Sequence, residues 1–332
     1  MRLETDRYRT APAVVASLLG LLAAAPRTGA DDKPAGKEDY ALTGHTGGVA
    51  GVALNGHAVA SAGLDKAIMV WTLGDDKPPL TLTGHTDRVN GVVFADHGKR
   101  LASASADGTV RVWDAATGKE LLTLTGHKGG VAAVAYDEDG KRLASAGADR
   151  TVRLWDPATG KAVRTLRGHT DAVTGLAFGG GRLASAGADR TVRLWDPGTG
   201  EEVRALRGHT DAVAGVSFHR DGKLLASGAA DGTVRVWEVA TGKEVIAFAG
   251  HAKAVTAVAF CQLRTRVHLL ASGSEDGTVR VWDTKAGREA LVLRGHPRGV
   301  RGVAFSRVNG FTHPRLASGG PDDAVKVWAV KP

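Results

Sequence analysis

Seven times along this chain a histidine, a serine, an aspartate and a tryptophan recur at near-constant intervals. The histidine follows a glycine, the aspartate comes four residues after the serine, and the tryptophan six after the aspartate. In chain order the sets are His45/Ser61/Asp65/Trp71, His85/Ser103/Asp107/Trp113, His127/Ser145/Asp149/Trp155, His169/Ser185/Asp189/Trp195, His209/Ser227/Asp231/Trp237, His251/Ser272/Asp276/Trp282 and His296/Ser318/Asp322/Trp328. A hydroxyl, an imidazole and a carboxylate are the parts of a nucleophilic hydrolase, in which the imidazole takes the hydroxyl proton and the acid orients the imidazole. Such a site needs one exposed nucleophile, an oxyanion hole and a pocket. Seven near-equal copies, each with an indole N–H, fit another role better. Four groups with complementary donors and acceptors can satisfy one another away from water. The sets read as framework, and no catalytic residue is assigned.

Other chemistry is thinly represented. The single cysteine, Cys261, can form no internal disulfide and cannot supply paired ligands to a structural zinc site. Asp137–Gly140 (DEDG) resembles the start of a calcium loop, but the twelfth position is Ala148 and not a bidentate glutamate. The Gly-Lys pairs beginning at Gly118, Gly160 and Gly242 are followed by Glu or Ala, so none completes a phosphate loop. Neither a metal nor a cofactor is expected, and the chain reads as no enzyme.

The elements that must carry these residues repeat as well. Arg142–Pro157 reads RLASAGADRTVRLWDP, and Arg182–Pro197 is identical letter for letter. Looser copies begin at Ala58, Arg100, Leu224, Leu269 and Arg315, and successive Gly-His pairs stand 40 to 45 residues apart. Inside one copy the pattern is β. Val131–Tyr136 (VAAVAY) is a short apolar run without polar alternation, as suits a strand buried on both faces. Asp137–Lys141 has turn chemistry, Leu143–Gly147 is small and apolar, Thr151–Trp155 is rich in β-branched residues, and Ala162–Leu166 supplies a fourth strand. One such unit cannot bury its own apolar faces, so its neighbours must stack on it.

Gly-His followed some 26 to 32 residues later by Trp-Asp resembles the WD40 repeat, and the likeness runs from about Asp39 to Trp328. Trp-Asp is literal in four copies and drifts to Trp71-Thr72, Trp237-Glu238 and Trp328-Ala329. The resemblance implies an all-β fold: a seven-bladed β-propeller with four antiparallel strands per blade. It also implies a hydrogen-bonded role for each His/Ser/Asp/Trp set within its blade. The chain runs out just after the third strand of the seventh copy, and Asp39–Thr43 (DYALT) is available before the first Gly-His. That segment is expected to complete the last sheet and close the ring, removing exposed edges.

The domain plan is then a leader over residues 1–30, a linker over 31–38 and the propeller over 39–332. Arg2, Arg7 and Arg9 precede thirteen uncharged residues, Ala13–Ala25, and small residues follow at Thr28 and Ala30. A basic start, a short apolar stretch and a small-residue cut site make a secretory signal peptide, with cleavage placed after Ala30. Thirteen residues are too few to span a bilayer, which takes about twenty. The alternative is an uncleaved interfacial anchor. A secreted or periplasmic location follows, with no membrane span after cleavage. Removing four arginines and two acids takes the formal net charge from +8 to +6. The charges are scattered singly, without a basic run, so no nucleic-acid partner is expected.

Antiparallel strands alternate direction, so the Gly-His loop and the loop bearing the aspartate fall at one end of each blade, here called the top. Candidate partner-binding residues there are Asp87, Arg88, Lys128, Arg150, Asp171, Arg190, Asp211, Lys253 and Arg298, with Lys66, Glu275 and Asp323 beside the aspartates. By resemblance the top is the expected surface for a protein or peptide partner, and the chain is expected to be a monomer. The function anticipated is a non-catalytic scaffold for protein–protein interaction outside the cytoplasm. Two alternatives stand beside it. One is a small-ligand binder or enzyme using the central channel, although the lining candidates Asn90, Thr174, Thr256 and Arg301 are few and mismatched. The other is attachment to anionic envelope polymers through longer loops in the sixth and seventh copies, which carry Arg264, Arg266, His268, Arg307, His313 and Arg315. A cation also stands two residues before six of the tryptophans, at Arg111, Arg153, Arg193, Arg235, Arg280 and Lys326, while the first copy has Met69. Its recurrence favours a framework or surface role.

Overall fold

A computed structural model describes residues 36–95, 98–263, 268–306 and 313–331. Twenty-eight strands form seven four-stranded antiparallel sheets, and the described residues contain no α-helix. Blade 7 includes the first strand, β1 (Gly36–Thr43), beside β26 (Gly302–Phe305), β27 (Arg315–Gly319) and β28 (Ala324–Val330). Blade 1 is β2 (Val49–Asn55), β3 (Ala58–Gly63), β4 (Ile68–Thr72) and β5 (Leu80–Leu82). Blade 2 is β6 (Val89–Ala95), β7 (Arg100–Ser105), β8 (Val110–Asp114) and β9 (Glu120–Leu124). Blade 3 is β10 (Val131–Tyr136), β11 (Leu143–Gly147), β12 (Thr151–Trp155) and β13 (Ala162–Arg167). Blade 4 is β14 (Val173–Gly179), β15 (Arg182–Gly187), β16 (Thr191–Trp195) and β17 (Glu202–Arg207). Blade 5 is β18 (Val213–Phe218), β19 (Leu224–Ala229), β20 (Thr233–Glu238) and β21 (Glu244–Ala249). Blade 6 is β22 (Val255–Phe260), β23 (Leu269–Ser274), β24 (Thr278–Asp283) and β25 (Arg288–Arg294). The first strand of blades 1 to 6 and β26 of blade 7 line the axis of the ring, and the fourth strand, β1 in blade 7, forms the outer rim.

The core lies between blades and not within them, as the repeat pattern requires. Val110, Val112 and Leu124 of blade 2 pack with Val131, Tyr136, Leu143 and Trp155 of blade 3. The same assembly recurs between blades 3 and 4, where Val152, Leu154 and Leu166 meet Val173, Leu183 and Trp195. Each tryptophan thus caps the preceding blade. Fully burying a Val or Leu side chain stabilises by roughly 1.5–3 kcal/mol, so each interface contributes far more than any surface contact. Near the axis the inner strands come close enough that a Cβ on Gly175 would stand 3.0 Å from the Cα of Gly215 in the next blade. A glycine at this bulge is a packing requirement.

The ring closes through the first strand. β1 pairs antiparallel with β28 from Gly36↔Val330 to Thr43↔Ala324, and Leu42 joins Val325 and Val327 in the core against blade 1. The strand begins three residues before Asp39, so Gly36–Glu38 are sheet and not linker. The reason is local: Glu38 is paired with Lys326 and Asp39 with Arg315, which fixes the polar start of the strand on the blade. The expected leader, residues 1–30, and residues 31–35 lie outside the described residues.

Candidate functional site

In each set the histidine sits in the loop entering a blade, the serine on its second strand, the aspartate in the following turn and the tryptophan on its third strand. In blade 3, His127 Nδ1 lies 3.0 Å from Asp149, His127 Nε2 lies 2.8 Å from Ser145 Oγ, and Trp155 Nε1 donates to the same oxygen at 2.8 Å. A carboxylate only accepts, so Nδ1 carries the proton and Nε2 accepts from the serine hydroxyl. Every polar group from indole to imidazole is then satisfied.

The same contacts recur around the ring. His45 meets Ser61 at 2.6 Å and Asp65 at 2.9 Å, and His85 meets Ser103 and Asp107, both at 2.8 Å. His169 meets Ser185 at 2.7 Å and Asp189 at 2.9 Å, and His209 meets Ser227 at 2.8 Å and Asp231 at 2.9 Å. His251 meets Ser272 at 2.7 Å and Asp276 at 2.9 Å, and His296 meets Ser318 at 2.8 Å and Asp322 at 2.9 Å. The tryptophan bond is present in blades 2 to 7. Trp113 donates to Ser103 at 2.9 Å, while Trp195, Trp237, Trp282 and Trp328 donate to Ser185, Ser227, Ser272 and Ser318 at 2.8 Å. Blade 1 departs from the expected set: Trp71 Nε1 is buried without an acceptor, so Ser61 serves His45 alone within its set.

These residues are framework and not a site open to ligand. Ser61, Ser103, Ser145, Ser185, Ser227, Ser272 and Ser318 are all 0% exposed, and Trp113 and Trp282 are buried with them. A hydroxyl sealed from solvent, donating to one ring and accepting from another, is not placed to attack a substrate.

The aspartates also bind the loop itself. Asp149 accepts the backbone N–H of Lys128 at 3.0 Å and the hydroxyl of Thr151 at 2.8 Å. Threonines 109, 191, 233 and 278 repeat the second contact. Asp322 is the exception among the acids. Ala324 stands where the threonine would be, and Pro297 removes the loop N–H, so Asp322 holds only His296 in the way the others do. Blade 1 likewise has Ala67 in the threonine position, but Asp65 keeps the loop N–H of Thr46. Burial alone would raise these carboxyls. Hydrogen bonds from threonine, histidine and backbone outweigh it and hold Asp107, Asp149, Asp189 and Asp231 down at about 2. Burial lowers His85, His127, His169, His209, His251 and His296 despite their aspartates, which favours the neutral imidazole.

These bonds tie the two top loops of every blade together, and the candidate partner-binding residues stand on them. Asp87, Arg88, Lys128, Arg150, Asp171, Arg190, Asp211, Lys253 and Arg298 are all exposed. Arg150 and Arg190 sit at φ 63° and 66°, as do Lys66 at 72° and Asp323 at 63°. Blades 2, 5 and 6 have Gly108, Gly232 and Gly277 at the same place. The left-handed turn after the aspartate is therefore demanded by the framework, and four blades fill it with a charged residue at a backbone cost of about 1–2 kcal/mol each.

The profile of the WD40 family, described as WD domain, G-beta repeat, matches residues 36–72, 76–114, 118–156, 160–196, 200–238, 242–283 and 287–329. The chain belongs to the WD40 family. No curated protein matches it. WD40 propellers are in general scaffolds for protein interaction.

In this WD40 propeller three of the four channel candidates, Asn90, Thr174 and Thr256, bond the neighbouring blade, and Arg301 is exposed. Asn90 Nδ2 donates to Val131 O of the next blade at 2.7 Å, and Thr256 Oγ1 donates to Val300 O at 2.7 Å. Thr174 bridges to Val213 O in the same way. These side chains latch neighbouring blades. At the other end of the axis lies a cavity of about 580 Å³, lined by the ends of the inner strands and rimmed by Asn55, Asp137, Glu138, His219, Arg220 and Gln262. His219 stacks on His268 with ring centroids 6.2 Å apart, while its Nδ1 lies 2.8 Å from Asp221. Of the ends of the inner strands, Phe94, Tyr136, Phe218, Phe260 and Phe305 are core, and Phe178 is partly exposed.

Of the basic residues in the longer loops of the sixth and seventh copies, His268 stacks on His219. Arg264, Arg266 and Arg307 lie outside the described residues, and Arg315 is committed to Asp39. Five of the six ring cations stand in ion pairs. Arg111, Arg193, Arg235 and Arg280 bond Glu120, Glu202, Glu244 and Glu289, each nine residues later on the outer strand, and Lys326 bonds Glu38 at 2.7 Å. Two signals were in plain sight in the sequence. One is the nine-residue Arg-to-Glu spacing in four copies, the other a threonine two residues after the aspartate in five. Among the described residues there is no cluster of three or more metal-ligating side chains, and no helix is long and apolar enough to cross a membrane.

Proposed function

We propose that this protein is a non-catalytic WD40 scaffold that presents its top-face loops to a protein or peptide partner. The carrying observation is the coupling of display to framework. All nine candidate residues are exposed, yet their loops are pinned by the buried histidine–aspartate bonds a few residues away. A surface ordered before binding loses little conformational entropy on association, so modest polar contacts suffice. Arginine is the best anchor available there, because its planar fork binds carboxylates and carbonyls with defined geometry. With the signal-peptide pattern at the N-terminus, the reading includes export, action outside the cytoplasm and a monomeric propeller.

The test is affinity capture from the native cell envelope with residues 31–332 as bait. Beside it runs a variant with Arg88, Arg150, Arg190 and Arg298 changed to Glu. A partner retained by the first bait and lost by the second is expected. A partner equally retained by both moves the site off the top face. A second reading is favoured by the 580 Å³ cavity at the opposite end, a size typical of small-molecule sites. Its acids, Asp137 and Glu138, and its bases, His219 and Arg220, suit a small dipolar ligand. An Arg220→Glu variant that still captures the partner separates that reading from the first.

A further inference from the structure

The rim of blade 3 breaks the ion-pair rule that blades 2, 4, 5, 6 and 7 obey. Blades 3 and 4 share an identical sixteen-residue stretch, so Arg153 and Arg193 stand in the same local sequence on equivalent strands. Trp195 pairs across the sheet with Glu202, and that glutamate binds Arg193. Trp155 pairs with Ala162 instead. Arg153 consequently has no acidic partner among the described residues, although it is half-buried. Blade 1 changed both members of the pair, with Met69 in place of the cation; blade 3 keeps the cation without the acid. The field near His127 shows the same imbalance: Arg153 lowers its pKa after burial and Asp149 have acted, whereas Glu202 offsets Arg193 at His169.

We propose that the outer strand of blade 3, β13, is a docking edge for an extended acidic peptide segment of a partner protein, whose carboxylate takes the place of the missing glutamate at Arg153. Three observations meet there. The strand has one neighbour, β12, so its outer side offers unpaired backbone donors and acceptors to an added strand. Its charges are all positive, with Lys161, Arg164 and Arg167 on or beside it, where blade 4 has Glu201 and Glu202. Val163 is 58% exposed, the highest value among the large apolar side chains described as exposed, and offers an apolar contact to an incoming strand. The surface is separate from the top face and does not depend on it.

The probe is an acetylated and amidated peptide, Thr-Val-Glu-Val-Thr, with its glutamine counterpart as control. Both are titrated against residues 31–332, and backbone protection is read by hydrogen exchange. The glutamate peptide should bind with protection confined to β13, and at least about tenfold more tightly than the glutamine peptide, the scale of one charge-assisted hydrogen bond. Ala162→Glu, which rebuilds the internal pair and leaves Arg153 in place, should weaken binding by a similar factor without lowering the melting temperature. Arg153→Gln should do the same to binding. The variant with four top-face arginines changed to Glu should bind the peptide as well as the parent. Equal binding by the Ala162→Glu variant, equal affinity for the two peptides, protection on another blade, or no binding at all would each overturn the proposal. Displacement by polyphosphate without β13 protection would overturn it too, in favour of an anionic polymer.

Discussion

Glu38 and Lys326, 288 residues apart in the chain, meet side chain to side chain at 2.7 Å. The pair marks the seam where the first strand completes the last blade. Leu42, 2% exposed, carries the apolar half of the same closure. Truncating Leu42 to alanine should destabilise by about 2–5 kcal/mol, the range for buried Leu→Ala changes. Glu38→Gln should cost under about 1 kcal/mol, since the pair is partly solvated. Removing residues 36–43 should lower the melting temperature more than either. Denaturant unfolding of the three variants checks the order, and a truncated chain that melts with the parent would show that the seam contributes nothing.

Trp155 and Trp71 should respond differently to the same change. Trp155→Phe removes an indole N–H that serves Ser145, whereas Trp71→Phe removes a buried N–H that serves nothing. Both lose similar packing, so the former should cost about 1 kcal/mol more. Equal destabilisation in urea melts would mean that the serine–tryptophan bond adds no net stability.

Acid should unfold this protein early, and in two stages. Six set histidines have folded pKa values below the ordinary 6.5, so below that pH the unfolded chain binds protons that the folded one refuses. Stability is therefore complete above about 6.5 and falls as the pH drops through it. The aspartates held at about 2 act in the same direction lower down: their contribution is complete above about 4 and disappears as the pH falls toward 2. Protonated His127 would also donate from Nε2 to a serine that already accepts from Trp155, leaving the hydroxyl proton without its acceptor. Melting temperatures from pH 8 to pH 3 should decline on this schedule; a curve flat down to pH 4.5 would contradict it.

Arg150→Gly relieves a left-handed residue and should raise stability by up to about 1 kcal/mol, the backbone gain being partly offset by glycine's freedom in the unfolded chain. Gly108→Arg should do the reverse in blade 2, by about 1 kcal/mol. Thermal melts of the two variants decide it. If Arg150→Gly is stabilising yet loses the captured partner, the arginine is present for binding and not for folding.

Much of the fold was legible without coordinates. The seven-fold recurrence, the four strands per copy and the spare N-terminal strand follow from period and pattern, because side-chain alternation and turn chemistry act locally. Val131–Tyr136 and Thr151–Trp155 are strands at the expected residues. The framework sets were legible as groups, since complementary donors and acceptors can be matched by type alone. Trp71 was not: its residue type is right, and only placement withholds the acceptor.

The sequence by itself determined the number of blades, the way the ring closes and the identity of the buried polar sets, all of which rest on repeated local chemistry. The tertiary structure decided what depends on distances between separate strands. It turned Asn90, Thr174 and Thr256 into latches between blades, committed Arg315 to Asp39, and put the open cavity at the end opposite the expected partner face. It also separated Arg153 from Arg193, two residues that sixteen identical letters cannot distinguish. Only the neighbouring strand, with Ala162 in one blade and Glu202 in the other, decides whether the charge is paired. A side chain's partner lies across the sheet, and the nine-residue Arg-to-Glu spacing acquires its meaning as an ion pair only once the register is known.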